Sequence, residues 1–80
     1  MAVKSMVSPV IGQFYSRPDP QQPPYLQPGD AIAAGATIGL VEVMKTFTRV
    51  EAEEAGRFVR YLVEDEDMVM PGDALFEYEA

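Results

Sequence analysis

One arrangement in the chain has an evident chemical use: a lysine set between strand-forming flanks in Glu42-Val43-Met44-Lys45-Thr46-Phe47. Val41, Val43, Phe47 and Val50 favour extended backbone, and neither Gly nor Pro lies between Gly39 and Gly56. A lysine midway along such a stretch is expected at or near the tip of a hairpin, with its amine in water. An exposed amine on a stiff turn can be handed to another protein and acylated there. Taken alone, the same residue also reads as an ordinary solvated turn lysine.

Other chemistry is scarce. The 80 residues include neither His nor Cys, which removes the imidazole base, the thiolate nucleophile, the Cys/His metal site and the disulfide. The remaining candidates for catalysis are carboxylates, Tyr, Lys and Ser. The densest carboxylate run, Glu64-Asp65-Glu66-Asp67, falls at a predicted turn and reads as a solvated loop. Glu51, Glu53 and Glu54 read as a polar strand end and turn. A barrel of this size is also expected to offer little room for a ligand-sized pocket. The chain is therefore expected not to be an enzyme by itself.

Eighty residues make one small domain spanning 1–80, whose core must come from the 48% of residues that are apolar. The net charge of −7 opposes nucleic-acid binding, which needs clustered Lys and Arg, and disfavours docking to anionic membranes. No apolar run approaches the length of a membrane span and the N-terminus lacks a signal-peptide core, so the cytoplasm is the default expectation.

Turn residues recur at Pro9, Gly12, Pro28-Gly29-Asp30, Gly35, Gly39, Gly56 and Pro71-Gly72-Asp73. Between them the pattern predicts strands over 3–8, 13–16, 37–43, 47–52, 57–63 and 74–79, short edge strands around Ile32 and Val69, and no helix. Near the end, Leu75, Glu77 and Glu79 are expected to face one way, and Phe76 and Tyr78 the other. The predicted core is Val10, Phe14, Ile32, Ile38, Leu40, Val50, Phe58, Val59, Leu62, Val69 and Leu75.

The two halves of the chain are alike. Asp30, Ile32, Gly35, Ile38 and Glu42 match Asp67, Val69, Gly72, Leu75 and Glu79 at a constant offset of 37. Gly12-Gln13-Phe14 matches Gly56-Arg57-Phe58 at an offset of 44, so seven extra residues lie between Phe14 and Asp30. That interval holds the proline-rich stretch Arg17-Pro18-Asp19-Pro20-Gln21-Gln22-Pro23-Pro24. The duplication predicts an all-β fold: a flattened barrel of two four-stranded antiparallel sheets related by a pseudo-two-fold axis. The lysine hairpin would end one half while the C-terminal strand takes the equivalent place in the other.

The run Val41-Glu42-Val43-Met44-Lys45 resembles the biotin-attachment motif of biotin carboxyl carrier domains, in which Met-Lys marks the modified lysine. Ser8-Pro9-Val10-Ile11-Gly12-Gln13-Phe14-Tyr15, Val50-Glu51-Ala52, Gly56, Leu62-Val63-Glu64 and Gly72-Asp73-Ala74-Leu75 extend the likeness over nearly the whole chain. Met usually follows the lysine in that family, where this chain has Thr46, and Val43 replaces the commoner Ala.

The resemblance implies covalent biotin on Lys45, with Glu42, Val43, Met44 and Thr46 as the flank read by a biotin ligase. It also implies two further partners, a biotin carboxylase and a carboxyltransferase, with acetyl-CoA carboxylase as the first candidate assembly. Tyr15-Ser16-Arg17-Pro18-Asp19-Pro20 resembles the protruding thumb of bacterial acetyl-CoA carboxylase carriers, giving a thumb-like insert at about 16–25 with Arg17 as its biotin contact. Arg17 stands where a Thr is common. Two alternatives share the fold: a lipoyl carrier domain and an unmodified interaction module.

Overall fold

The computed structural model describes residues 2–80, which form eight strands and no helix. They are β1 (Val3–Val7), β2 (Gly12–Tyr15), β3 (Ala31–Ile32), β4 (Thr37–Val43), β5 (Thr46–Glu51), β6 (Gly56–Tyr61), β7 (Met68–Val69) and β8 (Ala74–Glu79). One sheet has the order β1-β8-β6-β3 and the other β5-β4-β2-β7, every pairing antiparallel. The expected fold class is therefore the one observed, and β3 and β7 are indeed edge strands. Strand limits differ from the expected ones by a residue or two.

The pseudo-two-fold axis is visible in the hydrogen bonds. Phe14 N donates to Asp67 O at 2.8 Å, and its counterpart Phe58 N donates to Asp30 O at 2.8 Å. Gly35 N reaches Ala52 O, just as Gly72 N reaches Ser8 O. A side chain at Gly12 would collide with the carbonyl of Glu42, and one at Gly56 would come within 2.5 Å of the carbonyl of Glu79. The duplicated glycines therefore mark where β2 and β6 run hard against their neighbours. The β4–β5 hairpin corresponds to the paired termini, where Ala80 N donates to Ala2 O at 3.2 Å.

Phe14, Ile32, Ile38, Val50, Phe58, Val69 and Leu75 are buried, as expected. Leu62 is exposed, and Val10, Leu40 and Val59 are only partly buried. Met6, Val41, Ala52, Phe76 and Tyr78 join the core in addition.

The differences in β4, β6 and β8 share one cause. Along β4 the register passes from Thr37↔Glu51 to Gly39↔Val50, which leaves Ile38 as an extra residue in a bulge. Strand β8 has the same device against β1, where Met6↔Phe76 is followed by Val7↔Ala74 and Leu75 is extra. A bulge resets the two-residue alternation. Ile38 and Leu75 thus face inward together with Val41 and with Phe76 and Tyr78, and Leu40 turns outward.

In β6 the register passes from Phe58↔Tyr78 to Arg60↔Glu77, which skips Val59. Tyr61 then packs on Phe58, with ring centroids 4.7 Å apart, and Leu62 points away. The Tyr61 hydroxyl donates to Ile38 O at 2.8 Å, and burial pushes its pKa well above the usual phenol value.

Ile38 and Leu75 occupy equivalent places, so truncation of either to Ala is expected to cost about 2–5 kcal/mol. Urea unfolding of Ile38→Ala and Leu75→Ala checks this. A near-neutral result for one of the pair would show that the halves are not packed alike.

Candidate functional site

Lys45 sits where the hairpin reading expected it. Val43 pairs with Thr46, leaving Met44 and Lys45 as the two residues of the β4–β5 turn. Both have left-handed backbone, with φ of 49° for Met44 and 67° for Lys45. A two-residue turn with positive φ at both positions matches the twist of the flanking strands, and Asn-Gly is its usual occupant. Met and Lys tolerate this conformation less well, at a cost of order 1 kcal/mol or more per residue. The reward is geometric: both side chains stand clear of the sheet, Met44 being 93% exposed and Lys45 also exposed.

The chain reaches this turn from the opposite end of the domain. Strand β1 starts beside the C-terminus, and the short link after it delivers Gly12 to the other sheet, alongside Glu42. The amine therefore projects from the end remote from both termini.

Of the flanking residues, Thr46 is exposed while Val43 is partly buried and packs on the core. Glu42 is also partly buried and accepts a hydrogen bond from the Tyr15 hydroxyl at 3.3 Å, so it differs from a bare strand-end carboxylate. Tyr15 in turn packs against Phe47, with centroids 6.0 Å apart and planes tilted by 59°. Partial desolvation and then the Glu42 charge raise the Tyr15 pKa above its ordinary value, which keeps the phenol a donor.

Beside this aromatic pair the proline-rich stretch leaves the barrel as a loop. Its base is closed by Tyr25 N donating to Ser16 O at 2.8 Å. Asp65 fixes its start: Ser16 N and Ser16 Oγ donate to Oδ1 at 2.7 and 2.6 Å, and Arg17 Nε donates to Oδ2 at 2.9 Å. Desolvation pushes the Asp65 pKa upward, but the Ser16 bonds and the Arg17 charge outweigh it and hold the carboxyl below the usual range. Arg17 Nη1 also donates to Gln22 O at 3.2 Å, so the guanidinium is built into the loop.

Loop and sheet enclose a cleft of about 390 Å³ between Leu40, Tyr15 and Phe47 on one side and Arg17, Pro18 and Pro20 on the other. This corrects the expectation of little pocket space. The barrel interior is filled, but the insert makes a wall that the barrel alone would lack. The sequence reading also missed Phe47, Leu40 and Asp65 as parts of one site, since they lie far from Arg17 in the chain. It took Asp65 as part of a solvated carboxylate run, and only its distance to Ser16 and Arg17 sets it apart. Among the described residues no cluster of His, Cys, Asp and Glu is placed to hold a metal ion, and no helix is long and apolar enough to cross a membrane.

The chain is similar to known proteins along nearly its full length. The sequence model of the family described as "Biotin-requiring enzyme" matches residues 4–78. The biotin carboxyl carrier protein of acetyl-CoA carboxylase from Pyropia yezoensis is 37% identical over 75 residues, covering 94% of this chain and 48% of that protein. The protein of the same name from Chlamydia muridarum is 38% identical over 71 residues, covering 89% of this chain and 44% of that one. The chain thus spans about half the length of these relatives. Among solved structures, a single-chain, multi-domain long-chain acyl-CoA carboxylase superposes with a TM-score of 0.77 at 25% identity, covering 96% of this chain and 7% of that one. Since the family match runs through both sheets and across the Lys45 turn, the chain belongs to the biotin-requiring enzyme family.

Proposed function

We propose that the domain is a biotin carboxyl carrier in which Lys45 holds biotin as an amide. The observation that carries this reading is the Met44-Lys45 turn, which accepts unfavourable backbone at two consecutive residues and places the lysine clear of the barrel. The relatives, both biotin carboxyl carrier proteins of acetyl-CoA carboxylase, point the same way. A biotin ligase joins the carboxyl of biotin to Lys45 Nζ, reading Glu42, Val43, Met44 and Thr46 around it. Bound biotin supplies the ureido nitrogen on which carbon dioxide travels. A biotin carboxylase loads it and a carboxyltransferase unloads it, in an acetyl-CoA or related acyl-CoA carboxylase. The domain contributes a tether that keeps the carried group at high effective concentration near both partners. The cytoplasm supplies ATP, bicarbonate and acyl-CoA, and it is the compartment this reading takes.

The cleft fits the same group. Tyr15, Leu40 and Phe47 provide an apolar surface suited to a small bicyclic ring, and Arg17 brings guanidinium donors suited to a ureido carbonyl. In this reading residues 16–25 are a thumb over the biotin arm, and the domain occupies 1–80 as one unit.

Lys45→Arg keeps the charge and removes the acylatable amine. Co-expression with a biotin ligase followed by intact-mass spectrometry should show one biotinyl group on the wild-type chain and none on the variant. Label retained on the variant, or a lipoyl-sized increment on the wild type, would overturn the assignment.

Thr46 is exposed beside the turn, so Thr46→Met should leave the melting temperature nearly unchanged while raising the rate of biotinylation. Paired time courses with one ligase decide this, and slower modification of the Met variant contradicts it.

Replacement of Arg17 to Pro24 by Asn-Gly joins Ser16 to Tyr25 through a tight turn across a hydrogen bond that already exists. The melt should remain cooperative and within roughly 5 °C of wild type, since loop shortening costs little. Biotinylation should persist while carboxyl transfer from the attached biotin changes. Loss of folding would place the segment in the core and end the thumb reading.

A further inference from the structure

The duplicated fold provides an internal comparison for its own surface. Strands β7 and β3 are equivalent edge strands at an offset of 37, yet Met68 and Met70 stand where the other half has Ala31 and Ala33. At the offset of 44, Ile11 stands where the other half has Ala55. All six residues are exposed, with Met68 at 67%, Met70 at 55% and Ile11 at 50%. Three exposed alanines in one half are thus three large exposed apolar side chains in the other, and packing does not require the difference.

Register places these residues at the lysine end. Gly12 pairs with Val69 and Gln13 with Met68, so Ile11 and Met70 flank the last pair of β2 and β7. Across the same face Gln13 pairs with Glu42, and Glu42 with Phe47. The row Met68, Gln13, Glu42, Phe47 is the counterpart of Ala31, Arg57, Glu79, Val3 on the opposite sheet. The apolar patch is bordered by Glu42, Glu66, Asp67 and Asp73, none of which forms an ion pair among the described residues. Methionine suits such a face because its side chain adapts to the partner's shape.

We propose that Ile11, Met68 and Met70 form the docking surface for the biotin ligase, for which complementarity requires an apolar patch with a basic rim. The proposal rests on the carrier reading above and extends it from the turn to the body of the domain. The ligase is the occupant that the geometry favours, because it alone must bring the bare Lys45 amine, and therefore this end of the barrel, up to its own active site. A carboxylase or carboxyltransferase meets the carried group at the far end of a long arm and can act without covering β7. The unpaired carboxylates complement a basic rim, and the net charge of −7 favours encounter with a cationic partner.

The test is steady-state biotinylation of the apo domain by a purified biotin protein ligase with biotin and ATP, comparing wild type with Ile11→Ala/Met68→Ala/Met70→Ala. These substitutions reproduce the residue types of the other half. The expected result is a KM for the domain raised about tenfold, kcat within about twofold, and a melting temperature within a few degrees of wild type. The wild-type KM should also rise with added salt, and the single variant Met70→Lys, which opposes a basic rim, should show the same split. That variant decides the question if the triple variant loses a cooperative melt.

An unchanged KM in the substituted chains overturns the docking proposal while leaving the carrier reading intact. No modification of the wild-type chain overturns both. If sedimentation shows a dimer that the substitutions dissolve while KM stays the same, a second copy covers the face and the proposal falls.

Discussion

The architecture depends on two extra residues, Ile38 and Leu75, one in each half. A sheet strand normally offers only every second side chain to the core, which limits what 80 residues without a disulfide can bury. Each bulge turns an additional large aliphatic side chain inward and resets the alternation so that Val41, or Phe76 and Tyr78, follow it. Tyr61 closes one side of the same arrangement, with its ring on Phe58 and its hydroxyl on the carbonyl of Ile38. Phe14, Ile38, Phe58, Leu75 and Phe76 fill the interior among the described residues, and the cleft beside the insert lies outside it.

Against that rigid body, the Met44-Lys45 turn is the place where local preference gives way. Four turns of the barrel carry a left-handed residue at equivalent places, three of them glycine and the fourth Glu66. The β4–β5 turn departs further, with two consecutive side-chain-bearing residues at positive φ. The surrounding ladder from Thr37↔Glu51 to Val43↔Thr46 supplies the stability that holds this conformation. Strain confined to a tip can be tolerated because melting it would require unzipping the best-paired hairpin in the molecule. A lysine presented in this way has a fixed base and a free end, which suits a tether.

Function also requires the two halves to differ. The barrel can be read as two copies of one unit, yet the insert between Ser16 and Tyr25 occurs only once and is anchored by Asp65, at a turn whose counterpart carries no such load. The single insert converts the flat outer face around Tyr15, Leu40 and Phe47 into one wall of a cleft. The replacement of three exposed alanines by Ile11, Met68 and Met70 changes the outer face of the same sheet. Both departures from symmetry lie on the β5-β4-β2-β7 sheet, which also carries the Lys45 turn, and neither disturbs the shared core.

The sequence by itself determined the class of the fold, the number and approximate limits of its strands, the duplication and the position of Lys45 in a hairpin. These follow from short-range signals: turn residues at regular spacing, β-branched runs, and matching glycines that a positive φ or a close backbone approach requires. Tertiary structure decided the facing of β4, β6 and β8, because a bulge depends on how two strands pair and leaves no mark on either alone. Leu40 and Leu62 therefore looked like core residues, while Phe76 and Tyr78 were set on the face opposite Leu75. Tertiary structure also decided that Arg17, Asp65, Leu40 and Phe47 border one cleft, since residues tens of positions apart meet only when the sheets close. The carboxylate of Asp65 is identical in type to its neighbours in the run 64–67. Its distances to Ser16 and Arg17 separate it from them, and distance is a property of the folded chain.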